Sequence, residues 1–332
     1  MTRFNAHLGG TVSYTDILVI TDDHTHEELE TSPPAGSLAA ELTTGLTLEL
    51  LPRDLAERVI HAATPRGENY DPARQFGQLY SFVRRGPLDD RYFTFDPDAL
   101  IRNALQLSRL IVPNAHSTDY AARVLAHEVF PFKREEGLTI APLHPEHREF
   151  AFRVDTASRG WLTEADADEL GRLLRRWLAV REQLPQRVKN AMWWSEWTAR
   201  TGYMQPAFVN TVSAFEALVS TNTAGQRAEF VVRALAAAEE LEEANLNIDA
   251  ELLDRSYTAR SEITHGAFVA MNASGPERDD LVRLQAVLRG LLRRAIYDDA
   301  FAGIFATTAT VDERWPVPSR WRDVVGLAAR RP

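Results

Sequence analysis

The chain has 332 residues, 45% of them hydrophobic and 25% charged, which is the composition of an ordinary globular protein of one large domain or two. It has no cysteine, which excludes a disulfide scaffold and a thiolate zinc site and agrees with a cytoplasmic setting. Its formal net charge of −10, from 37 basic and 47 acidic residues, argues against broad nucleic-acid binding but leaves room for a local basic cleft. No apolar run reaches membrane-spanning length, and residues 1–10 lack the apolar core of a signal peptide, so no membrane contact is expected.

Residues 1–160 have the pattern of a mixed α/β domain. Residues 11–21, with Val12, Tyr14, Ile17 and Val19, predict a strand; 22–37, around Pro33-Pro34-Ala35-Gly36, a loop; and 45–51 a second strand. Residues 55–63 predict a short helix and 65–74 a loop. Short strands follow over 80–83 and 92–95, separated by a turn near Gly86-Pro87. Residues 98–111 form a clear amphipathic helix with Leu100, Ile101, Ala104, Leu107 and Leu110 on its stripe, stopped by Pro113. Ser117 or Thr118 is placed to cap a helix running to His127, and a further strand is expected around 149–154.

The character changes near Gly160. Thr163-Glu164-Ala165-Asp166 is a capping-box-like start to a helix reaching about residue 184, with Leu170, Leu173, Leu174, Trp177 and Leu178 inward. Helices are then expected over 186–200, 206–220, 223–243 and 248–265. Ser274-Gly275-Pro276-Glu277 opens another, running to 304. The fold class is therefore α+β: a mixed α/β domain over 1–160, an all-α bundle over 161–305, and a tail over 306–332 packing on the bundle.

Residues 252–266, LLDRSYTARSEITHG, carry the chemistry. On a helix of 3.6 residues per turn, Leu252, Leu253, Ser256, Ala259 and Ile263 share an apolar face, and Arg260 projects from its middle. Asp254, Ser261 and His265 fall on the opposite side. A guanidinium on a core face needs a carboxylate partner. The helix over 208–220 has one: Glu216, in line with Val209 and Val212 on the stripe completed by Phe215 and Val219. Two roles are open for such a pair. It is a structural salt bridge, with His265 merely ending a helix, or Glu216 fixes Arg260 beside His265 so that an anion binds there.

Tyr257-Thr258-Ala259-Arg260-Ser261-Glu262-Ile263-Thr264-His265-Gly266 resembles the Apea-like branch of the HEPN superfamily, with its R-x4-H motif, and Phe215-Glu216-Ala217-Leu218-Val219 is similar to an upstream helix of that branch. The resemblance covers about the last half of the chain. It implies a helical bundle and a metal-independent RNA endonuclease whose composite site forms across a homodimer, and it implies a role as a toxin or abortive-infection effector against phage. The expected site is then His265, to move the proton of a 2′-hydroxyl, and Arg260, to hold the phosphate. Ser261 would orient the imidazole or touch phosphate, and Glu216 would hold Arg260. No cofactor and no metal are expected. Expected partners are an RNA substrate such as tRNA, a second copy, and a regulatory protein or phage trigger acting through residues 1–160. The rival is an inactive HEPN-like scaffolding or dimerisation module.

Elsewhere, His24-Thr25-His26 and His144-Pro145-Glu146-His147 are two-ligand fragments, and His127-Glu128 does not continue as H-E-x-x-H. Arg278, Arg283, Arg289, Arg293 and Arg294 either line an RNA groove or form a solvated face balanced by Asp279 and Asp280. Trp193, Trp194 and Trp197 either stack bases or pack in a core or dimer interface, the second being the expectation. No phosphate-loop, dinucleotide-binding or G-x-S-x-G pattern is present.

Overall fold

The computed structural model describes residues 13–19, 39–63, 80–87, 98–114, 116, 120–125, 134–135, 138–143, 162–222, 225–241, 248–266 and 276–327. The expectations for residues 22–37, 65–74, 92–95 and 149–154, and the histidine pairs at 24–26 and 144–147, lie outside them. The chain forms two compact units. One comprises residues 1–153 and 157–175; the other comprises 154–156 and 176–332. The division falls inside one helix, C-terminal to the change of character at Gly160.

The first unit is built on an antiparallel sheet. Its strands are β1 (Ser13–Val19), β2 (Ala39–Thr43), β3 (Leu46–Leu50), β4 (Tyr80–Pro87), β5 (Ala121–Leu125), β6 (Arg134–Glu135) and β7 (Leu138–Pro142). They lie in the order β2-β3-β4-β1-β5-β7-β6. Period-two alternation divides the residues between two faces. Ile17, Val19, Val83 and Ala122 pack against Ala56, Val59 and Ile60 of helix α1 (Arg53–Ala63). Leu18, Phe82 and Leu48, cross-strand partners in register, are fully buried on the other face. Helix α2 (Ala99–Ile111), capped by the Asp98 carboxylate accepting from the Leu100 amide at 2.7 Å, packs against β4.

Two sequence expectations fail here. Residues 121–125 are a strand, not part of a helix capped by Ser117 or Thr118. β5 pairs with both β1 and β7, and its Ala121 and Ala122 are fully buried, so two ladders of partners outweigh local propensity. Gly86-Pro87 is not a turn but the end of β4, which pairs with Ser13 and Tyr14 of β1.

The sheet also holds an ion pair with no counterpart in the sequence expectations. Asp16 and Arg123 are register partners on β1 and β5. Arg123 Nε and Nη2 donate to the two Asp16 carboxylate oxygens at 2.6 and 2.8 Å, and the residues are 2% and 0% exposed. This is the two-pronged geometry that makes a buried charge tolerable.

Helix α3 (Glu164–Val180) opens on the expected capping box. Thr163 N–H and Oγ1–H donate to Asp166 Oδ2, and the Asp166 amide returns to Thr163 Oγ1. It spans the division. Arg175 donates to Leu42 O in the first unit, and Arg176 to Ile296 O in the second. The second unit continues with α4 (Gln186–Ala199), α5 (Met204–Val219), α6 (Gln226–Glu239), α7 (Ala250–Thr264) and α8 (Pro276–Tyr297). Three shorter helices follow, α9 (Asp299–Ile304), α10 (Thr308–Arg314) and α11 (Trp321–Val324). The expected single helix from Pro276 to 304 is broken at Asp298, whose carboxylate accepts from the amides of Ala300 and Phe301 and so starts α9. Among the described residues no strand follows α3, and no helix is long and apolar enough to cross a membrane. The architecture is α+β: an antiparallel sheet unit followed by a helical one.

The helical unit is tied to its C-terminal segment by Arg233 of α6, 3% exposed. Its guanidinium donates to Val219 O and Thr221 Oγ1 at 2.9 Å, to Trp315 O at 3.0 Å and to Asp312 at 2.5 Å. The last carbonyl of α5, the Thr221 hydroxyl and the chain around α10 thus share one buried cation.

Candidate functional site

Aromatic packing sets the site's frame. Phe215 of α5 meets Phe230 of α6 edge-to-face at 6.1 Å, and Phe230 meets Tyr257 of α7 at 5.6 Å. Phe215 and Phe230 are fully buried, each removal from water stabilising by roughly 1.5–3 kcal/mol. Glu216, the residue after Phe215, is thereby brought to the margin of this core facing α7. Arg260 stands one turn beyond Tyr257.

The two expected partners meet. Arg260 Nη2 lies 2.8 Å from Glu216 Oε2, with the side chains 24% and 13% exposed. The pair is incompletely satisfied: Glu216 Oε1 and Arg260 Nε are buried without a hydrogen-bond partner among the described residues. Burial pushes the Glu216 carboxyl above its usual range, and the Arg260 charge pulls it partly back. The Tyr257 phenol is raised as well, first by burial and then by the Glu216 carboxylate, with Arg260 opposing. Glu216, Tyr257 and Arg260 therefore form one electrostatic cluster.

Helix α7 begins at Asp249, whose carboxylate accepts from the Leu252 amide at 2.7 Å. It ends at His265, the C-cap residue. The His265 amide donates to Ser261 O at 3.0 Å, and Gly266 turns the chain at φ 85°, a left-handed conformation suited to glycine. His265 is exposed and Ser261 half-buried. One backbone hydrogen bond thus joins Ser261 and His265 across the last turn. Arg260 and His265 are not neighbours on the helix. Five residues place them about 140° apart and about 7.5 Å along the axis. Arg260 leans inward to Glu216, while His265 stands at the tip.

Asp254 is not on a solvent face, as the helical pattern had it. It is 9% exposed and accepts from Arg227 at 2.6 Å and Arg322 at 3.3 Å. Burial raises its carboxyl, but these two arginines prevail and hold it below its usual range. The reason is geometric. Ala250, Leu252, Leu253 and Ser256 are also buried, so the first half of α7 is enclosed on more than one side, whereas residues 262–266 are largely exposed. A shallow concavity of about 370 Å³ on this second side is lined by Glu251, Asp254, Arg255, Thr258, Glu262 and Leu327 among others. Three carboxylates and one arginine suit it poorly to an anion, and neither Arg260 nor His265 lines it.

Of the α8 residues weighed for a groove, two have defined partners. Arg294 stacks on Phe301 at 4.5 Å, and Asp280 is engaged by Arg255 at 2.6 and 2.7 Å. The tryptophan cluster is not in the core: Trp193 is 53% and Trp197 44% exposed. Among the described residues no group of three His, Asp or Glu could hold a metal ion. Sequence patterning missed Tyr257 as a member of the cluster, although its place one turn before Arg260 was a usable signal. No protein-family model matches the chain, and no curated protein or solved structure matches it.

Proposed function

We propose that the chain is a metal-independent RNA endonuclease of the HEPN type, acting as a homodimer whose facing α7 ends build one composite site. The observation that carries this reading is the Glu216–Arg260 contact of 2.8 Å on the helix whose exposed tip is His265. A guanidinium held by a carboxylate keeps its orientation while remaining 24% exposed to an incoming phosphate. An exposed imidazole is accessible to a substrate hydroxyl, and histidine is a residue type suited to proton transfer. The separation of Arg260 and His265 around one helix favours a site completed by a second copy, with the cation of one chain and the base of the other on the same phosphodiester.

In the proposed reaction His265 accepts the proton of a 2′-hydroxyl as its oxygen attacks phosphorus. The bond from phosphorus to the 5′-oxygen breaks, and a protonated imidazole returns a proton to that oxygen. Arg260 offsets charge on the non-bridging oxygens. Ser261, one turn before His265, orients the ring or contacts phosphate. The wider role, also proposed, is that of a cytoplasmic toxin or abortive-infection effector cutting a restricted substrate such as tRNA, with residues 1–160 restraining it until a phage trigger arrives. A buried His265 would have favoured the scaffold alternative; its exposure favours the enzyme.

The test is growth of cells producing wild type, Arg260→Ala or His265→Ala, with total RNA run on a gel. Toxicity and discrete RNA fragments that both folded variants lose support the proposal. Intact RNA and unchanged growth in all three, with phage infection included, would return the motif to a structural role.

A further inference from the structure

The segment after Trp315 returns to α7, the helix that carries the proposed site. Trp315 is buried and fixed, its carbonyl by Arg233 and its Nε1–H by Glu240 at 2.9 Å. Pro316–Arg320 follows without a buried residue, and α11 has none either. Two backbone bonds close the turn after α11. Leu327 N–H donates to Arg322 O at 2.8 Å and Gly326 N–H to Asp323 O at 3.3 Å, with Gly326 at φ 74°. This joins Arg322 and Leu327 into one unit, and both face α7. Arg322 reaches Asp254 at 3.3 Å, and the buried Leu327 forms a wall of the shallow concavity with Thr258, Ala259 and Glu262.

That side of α7 is the side of His265. At about 100° per residue, Asp254 and Thr258 fall within about 20° of His265 around the axis, Glu262 within about 60°, and Arg260 about 140° away. Along the axis Thr258 is about 10 Å and Glu262 about 4.5 Å short of His265. His265 itself is exposed at the tip, so the segment occupies the face that leads up to it. In a composite site a second copy brings its Arg260 to this face, where it would meet α11 and Leu327 within about two turns of His265. The hold of the segment is slight. Arg322 and Asp254 are 26% and 12% exposed, their contact is longer than the 2.6 Å bond from Arg227 to the same carboxylate, and Val324 is exposed. Attachments of this kind lie at the low-stability end of a fold, from which moving elements are drawn. Asp254 keeps Arg227 when Arg322 leaves, so α7 is not left with a stranded charge.

We propose that residues 321–327 are an autoinhibitory strap. Latched, they keep a second copy off the His265 face of α7; released, they open that face, and two copies close on each other to complete the site. The inhibitory role rests on the ribonuclease proposal above; the control of self-association does not.

The chain has no cysteine, so Thr258→Cys in the full chain places a single thiol beside the strap, and its rate of modification by a maleimide reads strap opening. Two latch variants are compared with this parent. Arg322→Glu sets like charges at the latch, and Leu327→Ser leaves the Asp254 pairs intact. Each should raise the labelling rate at least about fivefold and tighten self-association in sedimentation, while Arg322→Lys, which keeps the charge, should stay near the parent. In cells, without phage and without the reporter thiol, both latch variants should cut more RNA than wild type, and adding His265→Ala should abolish that gain. Unchanged labelling in the folded variants, or faster labelling with no gain in self-association, overturns the strap; if one variant fails to fold, the other decides. If labelling and self-association rise but RNA stays intact, the nuclease proposal fails and the strap stands as a control of assembly. If the latch variants label and assemble like the parent while His265→Ala abolishes wild-type cleavage, the reverse holds.

Discussion

Replacing Arg260 by methionine keeps most of its length and removes its charge. Glu216 then loses the donor 2.8 Å from Oε2, and Oε1 has none, so a carboxylate 13% exposed is left without a partner. Stranding one member of a buried pair costs about 3–5 kcal/mol, and partial water access at this site reduces that to about 2 kcal/mol. Glu216→Gln, which keeps a hydrogen-bonding group, should cost about 1 kcal/mol. The double variant should cost less than the sum of the singles by about 1–2 kcal/mol, the signature of direct coupling. The sign of the pH effect follows from the raised carboxyl. The folded chain binds this proton more tightly than the unfolded chain. The group therefore favours folding below its ordinary value of 4.5, and that contribution is lost as pH rises through the raised value. Without Arg260 the carboxyl rises further. Arg260→Met should then approach wild-type stability in acid and fall behind over a window extending to higher pH. Urea unfolding followed by far-ultraviolet circular dichroism across pH reads both effects. Additive single variants, or a deficit that does not change with pH, would refute the coupling and with it the claim that Glu216 positions Arg260.

Three further outcomes are expected. Arg123→Met leaves Asp16 charged and fully buried and should cost about 3–5 kcal/mol in thermal or urea unfolding, with Asp16→Leu/Arg123→Met recovering most of it. Asp254→Asn should cost about 1–2 kcal/mol and speed proteolysis after Arg320 and Arg322, because Arg322 loses its charged partner. The depressed Asp254 carboxyl contributes stability above its ordinary 3.8 that is lost as pH falls through its lower folded value, so acid should open the same segment in the wild type. Gly266→Ala should cost about 1 kcal/mol in melting experiments purely through its φ of 85°, since an added Cβ there meets nothing within 4 Å.

The helical half was the more legible one because its signals are local. The Thr163 capping box, the stripes of α5 and α7, and the out-of-place charges at Glu216 and Arg260 can each be found within one turn or one helix. The meeting of those charges followed because a core face tolerates a lone guanidinium poorly. What stayed hidden depends on distant partners. Asp254 looks solvent-facing until Arg322, far along the chain, covers it. Ala121-Ala122-Arg123 has helical propensity until strands on both sides claim its backbone. Asp16 and Arg123 lie more than a hundred residues apart, so neither announces the other. For Trp193 and Trp197 the expectation was packing in a core or a dimer interface, and three-dimensional packing shows that the core side of α4 is taken by other residues.

The Arg233 junction also orders events in time. Val219, Thr221 and Glu229, which also contact it, emerge from the ribosome before it does, but Asp312 lies 79 residues later. At about 5–20 residues per second, that is a wait of about 4–16 s during which a cation destined for burial lacks its charged partner at α10. A chain interrupted within that interval holds Arg233 against Glu229, Val219 and Thr221 but lacks the Asp312 and Trp315 contacts of the junction. An incomplete translation product would thus lack the C-terminal half of the clamp around Arg233.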